Sequence, residues 1–409
     1  MSIPSRPRLI SLSAIVLLAC TSAALAQHDP SGVTGGGMIG GSTGRPASKP
    51  ATKPATKPVT KPASTTTTPA PRRRTTPTTP VTRPATTTTT SSNADYYYQQ
   101  GEALYNSQKY REALDPYLKA TQINPSMASA LYRVGWIYND LEEYDSAIDP
   151  LRRAVAVQPN NAAAQFELGY AYRKLDRFAE ALTTFNQTIR IKPDHAAAHF
   201  QIGWINNEQK NYDDAVKSLK LAISNRSNYA EAHSELGYSL RNLGRYSEAI
   251  EEYQEAIRLS PEMGLAHLGL GDVYYYNTKQ YAEASQAYKR GLQLRPGNAT
   301  AQYNLGWCYN DLGRSGEAVE ELRKATQLQP NYPEAHNELG YALHQLSRFA
   351  EAVQEYQIAI TQKTDYASAH YNLGMSYVAM RNRNAALEQY RILQRIDNAR
   401  ATKLFNSIK

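Results

Sequence analysis

The chain has 409 residues, a formal charge of +8, three tryptophans, 30 tyrosines and two cysteines. Residues 1–93 hold 11 of the 45 Lys and Arg but one of the 37 acids, which leaves residues 94–409 at −2. A nucleic-acid-binding body is thereby excluded, because a phosphate-tracking surface needs a basic stripe on the fold itself.

Met1 to Ala26 reads as a secretory signal peptide. Arg6 and Arg8 precede an apolar run from Leu9 to Leu18, and Ala24-Leu25-Ala26 supplies a small-x-small cleavage site. The run is too short and too interrupted for a permanent membrane span, so no transmembrane helix is expected in the mature chain. Leu17-Leu18-Ala19-Cys20 also resembles a bacterial lipoprotein box, in which Cys20 would be lipidated and the protein held at the outer membrane. Either processing exports the chain, to the periplasm or beyond. Cys308 is then the only cysteine left, and no intramolecular disulfide is possible.

Residues 27–93 are a different polymer. Lys49, Lys53, Lys57 and Lys61 are each followed by proline, and threonine runs occupy 65–68 and 86–90. Such a composition buries too little apolar surface to offset ordering entropy and predicts a disordered basic tether. In polyproline form it would reach roughly 200 Å. A cationic tether outside the cytoplasm suits contact with a cell wall or another anionic surface, or simply keeps the body soluble.

From Ala94 onward one pattern repeats. Gly101, Gly135, Gly169, Gly203, Gly237 and Gly271 are spaced by thirty-four residues, and after one extra residue the series resumes at Gly306, Gly340 and Gly374. With Gly135 as position eight, alanine returns at position twenty (Ala113, Ala147, Ala181, Ala215, Ala249, Ala318, Ala352, Ala386), and bulky residues at seven, eleven and twenty-four. Pro125, Pro159, Pro193, Pro261, Pro296 and Pro330 close the units. A fixed period in this range predicts stacked supersecondary units. Two antiparallel helices approach closely only where one offers Gly or Ala, and proline stops the second helix because it lacks the N–H. Pro116 and Pro150 fall within second helices and are expected on an outer face.

These positions together resemble the tetratricopeptide repeat family over residues 94–398. The resemblance implies an all-α, right-handed superhelical solenoid of nine helix-turn-helix units. They would start near 94, 128, 162, 196, 230, 264, 299, 333 and 367. Residues 399–409, with Ala401, Leu404, Phe405 and Ile408, would form a C-terminal capping helix.

Helical geometry locates a candidate site. At 100° per residue, positions four, seven, eight and eleven of each first helix share the packed side, and positions two, five, nine and thirteen point away, with twelve on the flank. That outward side should be polar, yet it carries an aromatic row. Position nine holds Trp136, Tyr170, Trp204, Tyr238, Trp307 and Tyr341, with Glu102, Asp272 and Met375 in the other units. Position five adds Tyr98, Tyr132, Phe166, Phe200, Tyr303 and Tyr371. The units alternate: Trp136/Asn139/Asp140, Trp204/Asn207/Glu208 and Trp307/Asn310/Asp311 against Tyr170/Arg173, Tyr238/Arg241 and Tyr341/His344. The family resemblance puts this side in the concave groove where partners bind. Asn suits a peptide amide, aromatic faces stack on side chains or sugar rings, and the acids and bases of successive rungs are placed to pair. The same row would serve equally as packing between adjacent first helices.

Catalytic, cofactor and metal motifs are absent from the sequence. His199, His233, His267, His336 and His370 all fall at position four, one per unit, without the spacing of a helical metal pair. The sequence therefore predicts a non-enzymatic scaffold of the cell envelope that binds an extended peptide segment of a protein partner in an aromatic groove. A glycan or peptidoglycan binder, or a self-associating structural protein, would use the same face.

Overall fold

The computed structural model describes residues 87–409, so the predicted signal peptide, Cys20 and nearly all of the tether lie outside the described residues. Residues 89–409 form one compact unit. The first helices of the nine pairs are α1 (Thr87–Asn106), α3 (Ala128–Asp140), α5 (Ala162–Lys174), α7 (Ala196–Glu208), α9 (Ala230–Asn242), α11 (Gly264–Asp272), α13 (Ala299–Asp311), α15 (Pro333–Gln345) and α17 (Ala367–Ala379). Their partners are α2 (Tyr110–Ile123), α4 (Tyr144–Val157), α6 (Phe178–Ile191), α8 (Tyr212–Asn225), α10 (Tyr246–Leu259), α12 (Tyr281–Leu294), α14 (Ser315–Leu328), α16 (Phe349–Gln362) and α18 (Arg383–Ile396), and α19 (Asn398–Ile408) follows. From α2 onward each helix packs on the next in chain order. Among the described residues every regular element is helical, and the stack is a helical solenoid.

The position-eight glycines act by contact. A Cβ placed on Gly135 would lie 2.3 Å from Leu151 Cγ, and one on Gly306 would lie 2.5 Å from Leu322 Cγ. A side chain there would wedge the two helices of the unit apart. The alanines at position twenty are wholly buried, as are Tyr117, Leu151, Phe185, Leu219, Tyr288, Leu322 and Tyr356 at position twenty-four. Small and large residues thus interlock, as close packing requires.

Three features were not read from the sequence. Every first helix ends in a residue with left-handed φ before the second begins, and only Gly244 and Gly313 are glycine there; Gln108, Glu142, Asp176, Lys210, Lys279, Ser347 and Arg381 adopt it at φ 56–61°. The extra residue of the sixth unit is absorbed as a π-helical turn, Val273–Thr278. Pro116, expected on an outer face, is buried inside α2, and Pro150 is half-buried inside α4; both helices run through their proline. Each proline removes one backbone bond, which the remaining bonds of a packed helix tolerate.

The position-four histidines are tied to the end of the preceding unit. The Nε2 atoms of His199, His233, His267, His336 and His370 lie 2.8–3.3 Å from the carbonyl oxygens of Pro193, Ser227, Pro261, Pro330 and Thr364. Each ring satisfies a carbonyl just beyond a helix end, where no intrahelical donor is available. Cys308 is wholly buried, and burial pushes its thiol well above the ordinary range.

At the C-terminus α19 packs on α17 and α18, with Ala401 and Leu404 fully buried. Leu404 takes the space over Gly374 that the position-twenty-four residue fills in earlier units, a Cβ on Gly374 falling 2.5 Å from it. Successive first helices also touch one another, α3 with α5, α7 with α9, α9 with α11, α13 with α15 and α15 with α17, and successive second helices do not match this. The first helices therefore run along the inside of the curve.

Candidate aromatic groove

Five of the six position-nine rings are fixed by an aromatic neighbour. Trp136 meets Tyr110 edge-on at 5.3 Å, Tyr170 meets Tyr144 at 6.2 Å, Trp204 meets Phe178 at 6.2 Å and Tyr238 meets Tyr212 at 6.1 Å, all at interplanar angles of 69–74°. In each case the partner is the first residue of the preceding second helix, twenty-six positions earlier. Trp307 packs on Tyr275 at 5.3 Å and Tyr303 at 5.6 Å. One side of each ring is thus held by the seam between units. Trp136, Tyr170, Trp204, Tyr238 and Trp307 are nevertheless only half-buried, and Tyr341 is exposed.

Position-five rings are engaged more deeply. Phe166 stacks on His195 at 4.8 Å, and Phe200 meets Tyr229 and Tyr303 meets Tyr332 in tilted contacts at 4.9 Å, in each case a residue at the entrance to the next first helix. Tyr303 is 4% exposed and belongs to the core. Tyr98, Tyr132, Phe166, Phe200 and Tyr371 are half-buried, Tyr98 against Tyr117 at 5.6 Å and Tyr371 against the cluster under α19.

The asparagines do not present free amides to the groove. Asn139 Nδ2 donates to both the carbonyl and the carboxylate of Glu167 at 2.9 Å, Asn207 Nδ2 to Glu235 at 3.1 and 2.8 Å, and Asn310 Nδ2 to Glu338 at 3.2 Å. Asn139, Asn207 and Asn310 are 6%, 3% and 8% exposed. Asn207 Oδ1 also accepts from Ser239 Oγ at 2.6 Å, whereas Asn139 Oδ1 and Asn310 Oδ1 are buried without a donor. Glu167, Glu235 and Glu338 are the residues that sequence reasoning missed. Their signal was present as Glu-Leu-Gly-Tyr at 167–170, 235–238 and 338–341, in the units that follow an Asn-bearing one. Burial pushes all three carboxyls up to about 7, against the hydrogen bond from asparagine.

The charged rungs also differ from expectation. Asp140, Glu208 and Asp311 do not pair with Arg173 or Arg241; burial raises the pKa of each acid. The ion pairs that form cross the seams elsewhere. Arg133 donates to Glu102 at 2.7 and 3.1 Å, and Arg241 to Asp272 at 2.6 Å. In both units the position-nine acid also accepts from the position-twenty-four tyrosine, Tyr117 or Tyr288, at 2.6 Å. His344 bonds Ser376 Oγ through Nδ1 at 2.8 Å and lies edge-on to Phe349. Arg173 has no acid partner and instead lies over Tyr170 at 5.2 Å and Trp204 at 4.7 Å.

Chemically, this face offers partly open indole and phenol rings between closed polar seams. Among the described residues no group of three His, Cys, Asp or Glu is placed to hold a metal ion, and no helix is long and apolar enough to cross a membrane.

Family models described as tetratricopeptide repeat match residues 98–162, 140–196, 166–231 and 234–299, and others described as TPR repeat match 308–347 and 342–380. No curated protein matches the chain. Among solved structures it is similar to YrrB, described as a TPR protein with an unusual peptide-binding site (25% identity, 47% of this chain, 99% of that one, TM-score 0.44). It is also similar to the C-terminal part of a TPR repeat-containing protein from Cytophaga hutchinsonii (16% identity, 59% and 99% coverage, TM-score 0.48). A third is PilF of Pseudomonas aeruginosa (22% identity, 52% and 97% coverage, TM-score 0.44).

Proposed function

The chain belongs to the tetratricopeptide repeat family, and from that premise we propose that it is a non-enzymatic protein–protein interaction scaffold, exported to the cell envelope, that holds an extended peptide segment of its partner along the inner face of the first helices. One observation carries this reading. The rings of Trp136, Trp204 and Trp307 are clamped from one side by the seam, yet each keeps part of its surface accessible, at a helix position that points away from the packed side. A ring that is already immobilised loses little entropy when a ligand covers its remaining face, which favours binding. The export half of the reading rests on residues 1–26 and the tether on 27–93, of which only 87–93 are among the described residues.

The test is capture of partner from envelope extract by the full chain and by a variant with Trp136, Trp204 and Trp307 replaced together by Leu. The variant should keep its helical circular-dichroism spectrum and lose the partner. Capture that persists removes the groove from the account. A glycan-binding role for the same rings would appear instead as a change in tryptophan emission on titration with muropeptides and none with peptides.

A further inference from the structure

Three arginines of the inner face reach toward a neighbouring unit, and they provide an internal comparison. Arg133 meets Glu102, and Arg241 meets Asp272, both acids standing at position nine. Arg173 occupies the same position in its unit as Arg241, but the residue it reaches at position nine is Trp204. Its Nε is buried with no hydrogen-bond acceptor. The next residue, Lys174, repeats the situation: its Nζ is buried without an acceptor, 5.2 Å from the Tyr144 ring centroid and 5.6 Å from that of Tyr170. Burial and the neighbouring Arg173 pull this amine down to about 8. Glu142, Asp176 and Glu208, all exposed, act on the two cations through space, as Glu235 does on Arg173, and none forms an ion pair with them.

The Arg173 guanidinium bonds the Tyr170 side chain, but its Nε and the Lys174 Nζ are buried without acceptors, a costly state unless something outside the chain supplies the missing charge. What fits is an anion whose oxygens accept from a guanidinium and an ammonium together, the role Glu102 and Asp272 fill elsewhere on this face. The half-exposed rings Trp136 and Tyr238 flank the spot on either side, so a ligand chain has surface to follow in both directions. We propose that unit three binds the side-chain carboxylate of an Asp or Glu within an extended peptide, with Arg173 and Lys174 as counter-ions and Tyr144, Tyr170 and Trp204 as walls. The proposal rests on the peptide-groove reading above and adds the chemistry of one position in the ligand.

Three labelled pools of twelve-residue peptides with randomised flanks test it on the full chain: a central Glu with both ends blocked, a central Gln with both ends blocked, and a central Gln with a free C-terminal carboxylate. The Glu pool should be retained about tenfold or more over the blocked Gln pool, the factor expected for one hydrogen-bonded charge. Arg173→Gln and Lys174→Gln should each remove that preference while leaving the Gln pool unaffected. Equal retention of the blocked Glu and Gln pools overturns the carboxylate site and leaves the groove standing. Preference for the free C-terminus overturns the side-chain assignment. Retention of no pool overturns both.

Discussion

Asn207 and Glu235 are joined twice across a seam, the amide nitrogen donating to the carbonyl at 3.1 Å and to the carboxylate at 2.8 Å. The glutamate of this pair, like Glu167 and Glu338, is held up at about 7 by burial. A carboxyl raised in this way keeps its proton in the folded chain after the unfolded chain has released it. Its contribution to stability is complete below the ordinary value of 4.5 and is lost as pH climbs through about 7. His233 and His336 act in the same sense. Burial lowers each, but Glu252 or Glu355 raises it further, so their contribution is also lost as pH rises through the folded value. The solenoid should therefore melt at a higher temperature at pH 5.5 than at pH 8. Replacing Glu167, Glu235 and Glu338 together by Gln should flatten most of that dependence. Thermal scans followed by circular dichroism across this range decide it, and a melting temperature that rises with pH in the wild-type chain contradicts it.

Gly135→Ala should destabilise the chain by about 1–3 kcal/mol, the cost of forcing a methyl into a packed contact. The added Cβ would meet Leu151 Cγ at 2.3 Å. Gly237→Ala should cost less, because Tyr253 leaves 3.1 Å at the equivalent point. Denaturant titration of the two variants should rank them in that order.

Left-handed residues offer the opposite lever. Glu142→Gly, Lys210→Gly and Ser347→Gly should each stabilise by about 0.5–1 kcal/mol, since glycine adopts this conformation without a Cβ clash. The three turns lie in separate units, so their effects should add. Gly313→Ala, at φ +70°, should destabilise by a similar amount. Denaturation midpoints of the single and triple variants measure both signs.

Leu404→Ala should loosen the end of the array. Leu404 is wholly buried over Gly374, and its truncation should cost about 2–5 kcal/mol, felt locally because repeat arrays couple mainly to nearest neighbours. Hydrogen exchange should then show faster opening of α17 and α18 with α3 to α8 unchanged.

The architecture was legible because its determinants are steric and recur in register. Glycine at eight and alanine at twenty have one physical explanation at thirty-four-residue spacing, and the first-helix starts from 128 to 367 follow from it. The inner face was half legible. Helical geometry identifies which residues share it, but not how deeply each ring sinks, so Tyr238 and Tyr341 both stand at position nine while one is half-buried and the other exposed. The bonds of Asn139, Asn207 and Asn310 are not legible in the sequence, because their partners lie twenty-eight residues away in another unit, beyond any helical pattern. The left-handed turn was hidden for a different reason: seven of its nine occupants are ordinary side chains tolerating a conformation that glycine usually announces.

The asparagine–glutamate bonds join unit two to three, four to five and seven to eight, always in the same direction. Excising one member of such a couple by recombination would leave the asparagine or the glutamate of the other without this partner. Growth or shrinkage of this array by whole couples keeps every one of these bonds, and each couple is sixty-eight residues long, twice the length that the glycine spacing suggests.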